Sequence, residues 1–85
     1  MANQKDLEKA LRYSELMKAG KYSEARKIDL SLADLSGANL SYANLSRANL
    51  SFADLSLANP FLANLSHANL SYAKISIGNV NRIIK

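Results

Sequence analysis

From Ile28 to Arg82, apolar and polar residues follow one another in a register of five: Ala, Asp or Asn, Leu, Ser, then a variable residue. Ala33-Asp34-Leu35-Ser36-Gly37 is followed by Ala38-Asn39-Leu40-Ser41-Tyr42, and the frame runs on through Ala68-Asn69-Leu70-Ser71-Tyr72. Neither regular element can use this period. On an α-helix each five-residue step rotates the leucine by about 140°, which scatters the leucines around the axis. On a flat strand Ala and Leu two apart share a face, but the next Ala, three further on, falls on the other. The apolar set stays together only if the backbone turns a corner once per unit. Short strands alternating with corners predict a solenoid whose alanines and leucines line a narrow, dry shaft.

The first 27 residues have a different period. Leu7, Ala10, Leu11, Ser14 and Met17 follow helical spacing, and Tyr13 and Leu16 widen the stripe. Asn3 is placed as an N-cap, Asp6 lies in the first turn, and Gly20 is placed to end the helix in the left-handed conformation. A second short helix is expected from about Lys21 to Lys27, with Tyr22, Ala25 and Ile28 three residues apart. Lys18-Ala19-Gly20-Lys21-Tyr22-Ser23-Glu24-Ala25 is similar to the inter-helix junction of a tetratricopeptide repeat, although only that junction matches. One such repeat cannot bury its own face, so a hairpin capping the solenoid is the preferred reading. Leu11, Met17 and Tyr22 are expected to face the first coil and cover its open end.

The Ala-(Asp/Asn)-Leu-Ser-variable run resembles the pentapeptide-repeat family. The resemblance covers about two thirds of the chain: eleven consecutive units keep the frame, and the central residue is apolar in all but the one centred on Pro60. It implies a mainly β fold, a right-handed quadrilateral β-helix with four pentapeptides per coil, here about 2.75 coils. The expected divisions are a helical hairpin cap at 1–27, the β-helix at 28–82 and a short tail at 83–85. Pro60 cannot donate to a ladder, so a local bulge is expected there, swinging Phe61 into or out of the core.

The family's four-sided geometry sorts the outward residues into columns twenty residues apart. Leu32, Phe52 and Tyr72 stack on one side, and Gly37, Leu57 and Ile77 on the next. Tyr42, Leu62 and Arg82 form the third column, with Phe61 beside it, and Arg47 and His67 the fourth. Neighbours in a column would lie about 4.8 Å apart. The asparagines are expected to stack as amide ladders, and the serines to cap corners by local hydrogen bonds. Packing along the columns would by itself account for these residues, but exposed apolar rows are uncommon on monomers, so Leu32, Phe52, Tyr72, Tyr42, Phe61 and Leu62 also make a candidate interaction surface. At the other end Val80, Ile83 and Ile84 want burial, either by folding back over the last coil or by meeting a second copy; a homodimer through that end is the favoured expectation.

Composition narrows the function classes. The 85 residues include no Cys, which removes disulfides and thiolate metal sites, and no apolar run approaches a membrane span. The polar start Met1-Ala2-Asn3-Gln4-Lys5 lacks a signal peptide's apolar stretch, so a soluble cytoplasmic protein is expected. Of the net charge of +4, residues 1–27 carry +3 and residues 28–85 only +1, so the repeat is nearly neutral. A mixed-charge helix of this sort reads as a solvated face, and no nucleic-acid partner is expected. No catalytic residue, cofactor or metal ligand set is expected: His67 is the only histidine, and a shaft filled by Ala and Leu leaves no substrate cavity. The expected function is a non-enzymatic structural or protein-interaction module, binding a protein partner or itself. The alternative comes from the family, some of whose members resemble DNA and protect or inhibit DNA gyrase. That role requires a long acidic rod, and this chain is short and basic.

Overall fold

A computed structural model describes residues 1–76 of the chain. Helix α1 (Gln4–Lys18) begins at Asn3, whose side chain accepts the Asp6 N–H at 3.1 Å and fills one of the orphan donors of a helix start. Its other end closes on Gly20, at φ 77°. The Gly20 N–H donates to the Met17 carbonyl at 3.1 Å and the Lys21 N–H to the Leu16 carbonyl at 2.8 Å. This paired closure needs a left-handed residue between its two bonds, which glycine supplies without strain. A single-turn helix, α2 (Tyr22–Ala25), completes the hairpin.

Every unit that follows turns its corner in the same way. The Ala N–H donates to the carbonyl three residues earlier, as from Ala38 to Leu35 and from Ala48 to Leu45, both at 3.1 Å. The third residue of that four-residue turn is the variable one, and its φ is positive in each unit from Leu32 (64°) through Gly37 (70°) to Tyr72 (60°). Positive φ at this place marks a type II turn, which prefers Gly or Asn. The polar pair locks the corner: Asn39 Oδ1 accepts both the Ser41 N–H at 3.1 Å and the Ser41 hydroxyl at 2.7 Å. Asp34, Asn44, Asn49, Asp54 and Asn64 hold their serines identically. The asparagines therefore serve their own turns, and the expected amide ladders do not form among the described residues.

Asp34, Asn39, Asn44 and Asn49 each bridge in parallel to the residue twenty further on. Strands β1 (Asp54–Leu55) and β2 (Lys74–Ile75) pair in the same register. The backbone donors and acceptors left free by the turns bind from one circuit to the next. The Leu45 N–H donates to the Asn64 carbonyl at 2.8 Å, the Asn64 N–H to Ala43 at 2.9 Å, and the Arg47 N–H to Ser66 at 2.9 Å. The result is a β-helix solenoid whose strands are only as long as the corners permit.

Leu30, Leu35, Leu45 and Leu50 are fully buried along the shaft, with Ala33, Ala38, Ala43, Ala48, Ala53 and Ala58 packed between them. Leu65, Leu70 and Ile75 are only partly buried against this core. Pro60 is buried in the leucine row and no bulge forms. Its carbonyl accepts the Ala63 N–H at 2.9 Å, and Asn59 Oδ1 accepts the Phe61 N–H at 3.1 Å. The turn needs only a carbonyl at that position, which proline retains; Phe61 takes the serine place and is nearly half exposed. Val80, Ile83, Ile84 and the 83–85 tail lie outside the described residues.

Candidate interaction surfaces

The hairpin meets the solenoid through hydrogen bonds to its first coil. The Asn3 N–H donates to the Asp34 carbonyl at 2.9 Å, while Asp6 Oδ2 accepts the Asp34 N–H at 2.8 Å. Further along α1, Ser14 Oγ accepts the Asn44 N–H at 2.8 Å and the Tyr13 hydroxyl donates to the Ser46 carbonyl at 2.5 Å. Asp34 and Asn44 stand two units apart, half a twenty-residue circuit. Asp6 and Ser14 are eight residues apart on α1, a rise of about 12 Å, so the helix reaches both. It supplies the partners that a preceding coil would otherwise offer.

Ala10, Tyr13, Ser14 and Leu16 are buried in this contact, and Leu7 and Met17 pack partly against the core. Of the three cap residues expected from the sequence, only Met17 is among these; Leu11 is 41% and Tyr22 54% exposed. The helix is turned to bring Tyr13 and Ser14 onto backbone groups, since covering those groups unpaired would be more costly than exposing part of Leu11. Ser14 carried the signal: a hydroxyl on an apolar stripe needs a partner.

The outward columns form two aromatic pairs. Phe52 and Tyr72 stack with ring centroids 5.0 Å apart and planes 12° from parallel. Tyr42 and Phe61 meet edge to face at 5.8 Å and 86°. Leu32, Leu62 and all four rings remain exposed, Tyr72 at 81%. Each of these residues except Phe61 occupies a positive-φ corner.

The charged groups fall into two sets. Hydrogen bonds from the side chain and backbone of Ser36 hold the Asp34 carboxyl below its ordinary range, and Ser56 does the same for Asp54. Asp29 is lowered chiefly by the Ser31 N–H. On the opposite sign, Arg26 and Arg47 line a cleft of about 290 Å³ between the hairpin and the solenoid, together with Tyr13, Met17 and Tyr22. Burial raises the Tyr13 hydroxyl's pKa, opposed by the charges of Arg26 and Arg47. The sequence sets Arg47 in an outward column with His67 and Arg26 within the expected second helix, and nothing in it brings the two together. His67 is exposed, and no group of three histidines or acids is arranged to hold a metal among the described residues.

A family model described as "Pentapeptide repeats" matches eight copies, over residues 28–59 and 43–76. No curated protein and no solved structure matches the chain. No helix among the described residues is long and apolar enough to cross a membrane. Turns recurring every five residues, a twenty-residue ladder and a shaft of Ala and Leu agree with that match over more than half the sequence, and the chain belongs to the pentapeptide-repeat family.

Proposed function

We propose that this protein is a non-enzymatic structural and protein-interaction module. In this reading it is a right-handed, four-sided β-helix of about 2.75 coils. It binds a protein partner or a second copy of itself through the Leu32/Phe52/Tyr72 and Tyr42/Phe61/Leu62 columns and through its C-terminal end. The observation that carries the reading is the placement of exposed large apolar side chains at corners whose backbone prefers Gly or Asn. Local preference is overridden where a side chain has another task, and a large exposed apolar row marks contact surfaces. Incomplete burial of Leu65, Leu70 and Ile75 supports self-association at the far end. A gyrase-directed DNA mimic is ranked lower, because the net charge is +4.

Light scattering across a concentration series tests this, comparing the native chain with Phe52→Ser/Tyr72→Ser and with Ile84→Asp. A dimer lost in Ile84→Asp supports the end contact, and one lost in the double variant supports the column. A native monomer at high concentration removes self-association. A gyrase supercoiling assay showing inhibition would reverse the ranking of the two functions.

A further inference from the structure

Arg26, just past α2, and Arg47, at a corner of the solenoid, come from separate elements and line the same cleft. Both charges act on the hydroxyl of Tyr13, a residue that also lines the cleft. Among the described residues neither guanidinium has a carboxylate partner. Met17 and the half-exposed Tyr22 ring provide an apolar wall in the same space. Two guanidiniums with no carboxylate partner among the described residues, set on one cleft beside an aromatic ring, focus positive potential there and favour an anion.

We propose that this cleft binds a small phosphate monoester, with the phosphoryl group between Arg26 and Arg47 and a compact planar body against Tyr22 and Met17. Charge selects the class. A phosphate monoester carries close to two negative charges at neutral pH, matching two guanidiniums, whereas a carboxylate would answer only one. Each planar guanidinium can donate two parallel hydrogen bonds to phosphate oxygens. The cleft's volume, about 290 Å³, accommodates a phosphoryl group and roughly one ring. This site is independent of the aromatic columns, and its failure would leave the proposed interaction role untouched.

The test is an amide-resolved NMR titration of the full chain with phenyl phosphate, alongside inorganic phosphate and phenol. Saturable shifts are expected at Tyr13, Met17, Tyr22, Ser46 and Arg47, with a dissociation constant of about 1 mM or tighter. Inorganic phosphate should bind more weakly and phenol not at all. Arg26→Gln and Arg47→Gln, both at exposed positions, should each weaken phenyl phosphate roughly tenfold, with Lys9→Gln as the control. Absence of saturable shifts overturns the proposal, as does equal weakening by Lys9→Gln. Equal affinity for phosphate and phenyl phosphate overturns the planar-body part.

Discussion

The hydroxyl of Ser14 accepts the backbone N–H of Asn44 at 2.8 Å, so that a helix fills a rung that elsewhere in the molecule is strand to strand. Ser14 is itself buried, so its removal would leave the Asn44 donor covered and unpaired. Ser14→Ala should lower the stability by about 1–3 kcal/mol in urea unfolding. The exposed Leu11→Ser, by contrast, should change it by about 0.5 kcal/mol or less. If the two variants unfold together, the docking hydrogen bonds contribute nothing and α1 is held by apolar contact alone.

Gly37 isolates the demand that each corner makes of its variable residue. Its φ is 70°, and a Cβ built there meets nothing within 4 Å. Any loss in Gly37→Ala is therefore backbone strain and not a clash, expected at about 1 kcal/mol. Leu57 tests the converse: it is 80% exposed at φ 59°, and Leu57→Asn should raise the midpoint of thermal unfolding, because Asn tolerates this conformation. A lower midpoint in Leu57→Asn would mean that the leucine's outward contacts outweigh its backbone cost.

Acid should weaken the corners that use Asp. The Asp34 and Asp54 carboxyls are held below the ordinary range by Ser36 and Ser56, so they bind protons less readily folded than unfolded. Their contribution is complete above the unfolded carboxylate value near pH 4 and disappears as pH falls through the lowered folded values. The variant Asp29→Asn/Asp34→Asn/Asp54→Asn keeps the local acceptor, as Asn39 and Asn44 do in their own turns. Its urea midpoint should fall less steeply than that of the native chain between pH 5 and pH 2. Parallel profiles would sink the idea.

The shaft was legible because its signal is a period. Ala and Leu recur in a frame that only a cornered chain can bury, and the twenty-residue register followed once the family resemblance was recognised. The corner chemistry was half legible. Gly37 alone among the variable residues betrays positive φ, while Leu, Tyr, Phe, Arg and His at equivalent places conceal it. Pro60 misled for a related reason: its missing donor suggested a bulge, yet the turn uses its carbonyl. The cap's orientation was obscured because apolar spacing ranks Leu11 with its neighbours, whereas Tyr13 and Ser14 are chosen by unpaired groups on another element. The Arg26/Arg47 cleft was illegible, since it arises only when the hairpin lies against the coil.

Phe52 and Tyr72 allow column packing to be separated from partner binding. Their rings stack at 5.0 Å, a contact worth about 0.5–1.5 kcal/mol beyond the area it covers. A double-mutant cycle through Phe52→Ser, Tyr72→Ser and the pair should return a coupling of that size in urea unfolding. If stacking were the column's whole purpose, a replacement pair that preserves stability would have no other consequence. Phe52→Leu/Tyr72→Leu supplies such a pair, since leucine already occupies the equivalent positive-φ corners at Leu32, Leu57 and Leu62. The expected result is a modest loss of stability with a much larger loss of self-association or partner binding. A variant that binds as the native chain does would confine the aromatic column to structural support and leave the C-terminal end as the contact surface.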